Sequence, residues 1–335
     1  MNKNRLFYID FIRAISLIMV IIFHFFIQIS IVKGEKKIDL VSTFDKSTDL
    51  GSIAVGVFVI VSGFSLMNSN LNNPNFNPGD FYLKRFLSIY PSFWLSYSLA
   101  ALSGYIYYGH LPNNAQAWTL IFSFIGLDGL INQIIPTYYM VGEWFLGMII
   151  ILYILFPLML FLIKINPLLL TISVLTISII TNYYYTELFT LKKWTNPIFQ
   201  ANLMIFGMNY CYYSLSKNNQ INAILFITGF TSLFILEPLV KSFIYPCLLF
   251  ILLAYLGNHL LIDRNIARVI SFIAKYSFAT FLVHHKVIFY ISQSFNNINN
   301  PIAVPIAFIT SIIISLVIGF CVTNLCNKIV KKILS

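Results

Sequence analysis

An all-α, polytopic membrane fold is what this sequence predicts, on three observations. Of its 335 residues, 59% are hydrophobic and only 10% charged. The mean hydropathy is +0.82. Apolar runs long enough to cross a bilayer recur from end to end, with short polar joints between them. A spanning helix takes about 20 apolar residues, and a soluble chain of this size has no use for so much apolar surface. The longest clearly polar stretch, 33–50, is too short for a soluble domain, so 1–335 reads as one membrane domain.

The first run, 11–32, follows Lys3 and Arg5 without a small-residue cleavage pattern and therefore reads as an uncleaved helix. It carries Arg13 and His24, eleven residues apart. Eleven helical steps make three turns plus about 20°, so both side chains leave one face, with an axial separation of roughly 16 Å. Arg13 then sits near one surface and His24 near the midplane. Asp10 lies three residues before Arg13, where the two can pair. An interfacial anchor explains Asp10 by itself. For His24 two readings stand open, a hydrogen-bonding packing residue or a general base acting on a hydroxyl.

The second run, 50–68, holds Ser62-Gly63 in GVFVIVSGFSL; small residues there favour close helix packing. The third, 86–108, opens with FYLKRFLSIYPSFW. Its Lys84, Arg85 and Tyr90 suit either a positive anchor with an aromatic belt or a cationic site for a phosphate-bearing donor. Segment 117–135 is broken by Asp128, two glycines and Asn132, and it ends at Pro136. The fourth run, 142–163, starts at Glu143-Trp144, a belt tryptophan beside a carboxylate that is either solvated or orients a hydroxyl or an imidazole. Runs at 167–186, 197–215, 221–237 and 239–257 carry few charged groups. The ninth, 270–293, contains KYSFATFLVHHKVIF, with His284, His285 and Lys286 adjacent. Neighbours on a helix diverge by about 100°, so one of these is expected in the core, with Lys286 reaching outward. The tenth run is 302–326. His110 and His259 fall in expected loops.

Loop charge decides whether 117–135 crosses. If it does not, both termini are cytoplasmic, with thirteen cations inside and seven outside; if it does, the split is eight against twelve. The positive-inside rule selects the first arrangement. The expectation is thus ten membrane helices with cytoplasmic N- and C-termini and 117–135 re-entrant or interfacial on the outer side.

The net charge of +10 is scattered between apolar runs without a basic helix face or an RNA-binding aromatic motif, which argues against nucleic acid. Cys211, Cys247, Cys321 and Cys326 lie in or beside apolar stretches without a CxxC pair and read as packing residues. No metal-ligand spacing, phosphate-binding glycine loop or Ser/His/Asp order is present.

In order, YIDFIRAISLIMVIIFHF, GVFVIVSGF, FYLKRFLSIYP, EWFLGMIIILYILFPL and YSFATFLVHH resemble the acyltransferase 3 family of bacterial integral membrane O-acyltransferases. The resemblance implies ten helices in the cell membrane. It also implies transfer of an acyl group, usually acetyl, from cytoplasmic acyl-CoA to a hydroxyl of a cell-envelope or secreted glycan or a glycolipid precursor. It gives His24 the family's essential histidine, Arg13 its paired arginine, and Lys84 and Arg85 the basic start of a motif near the donor. Glu143, Trp144, His284 and His285 then fall to the acceptor side, with Asp10 and Tyr90 in support, and no bound cofactor or metal is expected. Two positions depart from the pattern: Ser88 stands where many members have a second arginine, and Lys286 replaces a common proline. With no hydrolase-like domain after NKIVKKILS, the membrane domain is expected to complete the transfer or to pass the acyl group to another protein. The competing class is a glycan or lipid-linked-sugar transporter, which also places polar residues at the midplane; a transporter is expected to show inverted repeats, and no convincing repeat relates the two halves.

Overall fold

The computed structural model describes residues 6–34, 48–110, 115–215, 218–232, 238–294 and 302–334. Lys3, Arg5, Lys36, Lys37, Lys46 and Lys217, counted above for topology, lie outside the described residues, as do most of the polar stretch 33–50 and the end of the 221–237 run. Among the described residues the regular elements are helices, with no strand. In chain order they are α1 (Phe7–Lys33), α2 (Leu50–Asn70), α3 (Pro78–Tyr108), the short α4 (Leu120–Ile125) and α5 (Asp128–Ile131), α6 (Glu143–Ile165), α7 (Pro167–Tyr183), the short α8 (Tyr185–Leu188), α9 (Pro197–Tyr212), α10 (Asn219–Ser232), α11 (Pro238–His259), α12 (Arg264–Ser294) and α13 (Ala303–Leu334). Six of them, α1, α2, α6, α11, α12 and α13, are long and apolar enough to cross a membrane. The chain is a multi-pass membrane protein.

Ten spans are expected and six helices meet the length and hydropathy of one; among the described residues the apolar runs fall on helices, but caps rather than hydropathy set the ends. Three helices start at Asn-Pro. Asn77, Asn166 and Asn196 each accept a backbone N–H of the first turn, at 2.8, 3.0 and 2.9 Å, and the proline that follows supplies the helical φ. α3 consequently begins at Pro78, eight residues before its apolar run. α12 begins early for a similar reason, because the Asp263 carboxylate accepts the N–H of Asn265 at 2.8 Å. His259, expected in a loop, instead closes α11 with its ring bonded to the Tyr255 carbonyl at 2.8 Å.

The bundle is organised around α2, which packs on α1, α9 and α11. Its contact with α9 is made backbone to backbone. A Cβ added at Gly63 would stand 2.1 Å from the Met204 carbonyl oxygen, and one at Gly207 would stand 2.1 Å from that of Ile60. Small residues let membrane helices approach this closely and gain dispersion where lipid provides no hydrophobic drive. α12 packs between α1 and α13. The large apolar side chains left exposed on α7 and α13 suit a surface that faces hydrocarbon.

Segment 117–135 is a 3-10 turn at Ala117–Thr119 followed by α4 and α5, with Gly126 between them at φ +77°. Neither helix approaches spanning length. Aromatic residues of α3 hold the segment by its main chain: Tyr90 donates to the Ile125 carbonyl at 2.9 Å and Trp94 to that of Phe124 at 2.8 Å.

Gly207→Leu is expected to lower the melting temperature of the detergent-purified chain by several degrees, since overpacking costs about 1–3 kcal/mol or more. Gly104→Ala in α3, whose added Cβ meets nothing within 4 Å, is expected to leave the melting temperature unchanged or raised, helix propensity favouring alanine by about 1 kcal/mol.

Candidate active site

Helix α1 delivers the two ionisable groups singled out by spacing to different neighbours. At one end, Arg13 donates to the Ser65 hydroxyl of α2 at 3.0 Å. One turn away, the Asp10 carboxylate, itself buried, accepts from Ser271 of α12 at 3.1 Å. Deeper along the helix, His24 meets α12. Its ring centroid lies 5.1 Å from that of His284 and 3.9 Å from that of His285, and those two are 4.4 Å apart.

Of the adjacent histidines His284 is buried and His285 half-buried, as expected of neighbours on a helix. Although they diverge around α12, the His24 ring reaches both. His284 is fully buried and donates from Nδ1 to the Phe281 carbonyl, because a carbonyl can only accept. Its Nε2 is left buried and without a partner. Lys286, next along, is half-buried.

Two cavities share lining residues on α1, α2, α3 and α6. One, of about 500 Å³, is lined by Lys84, Arg85 and Arg13 together with asparagines at 70, 73, 75 and 77. The other, of about 460 Å³, extends past Ser88 and Lys275 to Phe281. Both are lined by Arg13, Ser62, Arg85 and Tyr153. Arg85 is half-buried with its Nε unpartnered, and its guanidinium lies 5.9 Å from the Phe81 ring and 6.0 Å from that of Tyr153. Aromatic walls support a planar cation while leaving its N–H edges for an anion. Lys84 is exposed at the mouth, and Ser88 is exposed on the second cavity. Ser88 therefore contributes a hydroxyl where an arginine would have contributed charge.

Glu143 is completely buried at the start of α6. Its two carboxylate oxygens accept the backbone N–H groups of Met140 and Val141, at 2.8 and 3.0 Å. It thereby fixes the chain leading into α6, including Gly142 at φ +80°, whose added Cβ would lie 3.8 Å from the His285 ring. α5 backs this turn at close quarters: a Cβ at Gly129 would lie 1.9 Å from the Trp144 Cα. Trp144 stacks edge-on against Trp194 at 4.7 Å. Tyr90 is committed to the Ile125 carbonyl and holds the α4 segment rather than lining either cavity.

Sequence reading missed Tyr153, Ser65 and the asparagines as cavity-lining groups. Tyr153, whose hydroxyl lies 3.3 Å from that of Ser62, is one aromatic among many in a run that reads as lipid-facing. The asparagines follow α2 in NSNLNNPNFNP, a cluster that reads as a turn.

A family model described as an acyltransferase domain, acyltransferase 3, matches residues 6–320. No curated protein and no solved structure is similar enough to match the chain.

Replacing Glu143 with Gln sets an amide N–H₂ against one of two backbone donors. A buried group left unsatisfied costs about 1–3 kcal/mol, so E143Q is expected to lower the melting temperature and to speed proteolysis within 136–142, while Glu143→Asp, which keeps two acceptors, is expected to lose less.

Proposed function

The chain belongs to the acyltransferase 3 family, and from that premise we propose that it moves an acyl group, acetyl in the first instance, from cytoplasmic acyl-CoA to a hydroxyl of a cell-surface glycan or its lipid-linked precursor. The observation that carries this reading is the pair of adjoining cavities. They share Arg13 and Arg85, begin among cations and asparagines, and end at Phe281, whose carbonyl holds His284 beside His24.

CoA has a charged nucleotide head and a long, neutral arm, and the cavities divide in the same way. The phosphates bind Lys84, Arg85 and Arg13, arginine being suited to bidentate phosphate contacts. The asparagines, with donors and acceptors on one amide, suit the base and ribose. The pantetheine arm runs through the second cavity past Ser88 and brings the thioester to the histidines. This arrangement goes with ten spans, cytoplasmic termini in the cell membrane, and 117–135 folded back on the outer side.

His24 is the general base. As the acceptor oxygen attacks the thioester carbonyl carbon, its proton passes to the His24 ring. The C–S bond then breaks, the ester remains on the acceptor, and the imidazolium returns the proton to the departing thiolate, giving free CoA thiol. His284, fixed by the Phe281 carbonyl, and His285 hold the His24 ring in place. Glu143 and Trp144 shape the outer approach.

His24→Ala is expected to reduce release of CoA thiol from acetyl-CoA in the presence of acceptor glycan by about 10²–10⁴-fold, the usual contribution of a general base, with little change in the KM for acetyl-CoA. Full transfer by His24→Ala membranes would exclude the mechanism. Arg85→Ala is expected to raise the KM for acetyl-CoA about tenfold or more with kcat less affected, one charge-assisted phosphate contact being worth about 1.5–3 kcal/mol; equal KM values for R85A and wild type would remove Arg85 from the donor site.

A further inference from the structure

The three histidines make up more than a base and its neighbours. One ring nitrogen from each of His24, His284 and His285 lies within 4.8 Å of the others. Two imidazoles on one tetrahedral ion, each about 2.0–2.1 Å from it, place their nitrogens about 3.3 Å apart. Modest side-chain rotation therefore closes the cluster on an ion without moving either helix.

A second feature is independent of that spacing. The bond from His284 Nδ1 to the Phe281 carbonyl leaves Nε2 as a buried lone pair with no partner. Metal-ligating histidines commonly show this arrangement, in which one ring N–H goes to a backbone carbonyl and the other nitrogen faces the ion. The buried Glu143 carboxylate lies on the neighbouring element, and Gly142 just before it adjoins His285.

We propose that His24, His284 and His285 form a three-imidazole site for a borderline divalent transition-metal ion, Zn²⁺ being the reference member. Imidazole ligands select Zn²⁺, Co²⁺, Ni²⁺ and Cu²⁺ over Mg²⁺ and Ca²⁺, which take oxygen. Binding consumes the lone pair that His24 needs as a base, so occupancy and acyl transfer exclude one another. The site itself does not depend on the transferase reading; the competition does.

Co²⁺ is the probe, added to the full-length chain purified in detergent and stripped with chelator. The wild type is expected to bind one Co²⁺ per chain with the visible d–d bands of a low-coordinate nitrogen site. His284→Ala and His285→Ala are each expected to weaken binding at least tenfold, whereas His259→Ala, at the end of α11 away from the cluster, is expected to bind as the wild type does. If H284A does not yield a monodisperse particle, the half-buried His285→Gln serves instead. No bands from the wild type, or bands that persist in both cluster variants, would overturn the site. Loading with Zn²⁺ is expected to stop acetyl transfer and chelator to restore it; full transfer by loaded protein would overturn the competition. Because the bands are read without substrate, they report on the site even if His24→Ala proves active.

Discussion

An ionisable side chain inside a membrane bundle is costly unless it finds partners, and here that constraint falls on α1. The helix brings Asp10, Arg13 and His24 into the bundle, and each is answered from another element: Ser271 for Asp10, Ser65 for Arg13, and the paired histidines of α12 for His24. α1 is consequently held between α2 and α12 in a fixed rotation and depth. Polar satisfaction therefore sets the register of the bundle, and close packing of small residues then locks it. The tight contact between Gly63 and the Met204 backbone, reciprocated by Gly207 and Ile60, fixes α2 on α9 and so fixes Ser65 against Arg13.

The same logic extends to the non-spanning segment. Backbone that is not helical at membrane depth must have its polar groups met by protein. Tyr90 and Trp94 on α3 answer two carbonyls of 120–125, and Glu143 answers two N–H groups of 136–142. Aromatics that suit a membrane belt, and a carboxylate that reads as either solvated or orienting, are the supports of an irregular wall beside His285. The wall stands on one side of His285, and the second cavity ends at Phe281, whose carbonyl holds His284.

Much of the fold was legible because its causes are local. Apolar runs of spanning length and a segment interrupted by Asp128, Gly126 and Gly129 are visible in a one-dimensional reading, and among the described residues those runs fall on helices, six of which are long and apolar enough to cross a membrane. Boundaries were less legible where Asn-Pro or an aspartate capped a helix before its apolar run began. Within the site, the Arg13–His24 stripe was legible because it depends on a single helical period. The two-histidine answer from α12 was not. Periodicity separates His284 from His285 by about 100°, and nothing in the sequence tells how near the α1 axis comes. Arg85 was legible as a cation, but its aromatic setting required Tyr153, which arrives from α6.

The sequence by itself determined the class of molecule, an all-helical chain with several apolar segments of spanning length, and the cations it carries. These follow from composition, period and the cost of placing charge in hydrocarbon, none of which depends on which helix lies beside which. Only the tertiary structure decided that His24 converges with two histidines about 260 residues further along the chain, that the asparagines at 70, 73, 75 and 77 share a cavity with Lys84 and Arg85, and which of its readings Glu143 takes, holding a turn. Those outcomes depend on helix crossing and depth, which are set by where glycines permit backbone contact and where buried polar groups find one another. A linear pattern records the groups that need partners; the packing chooses the partners.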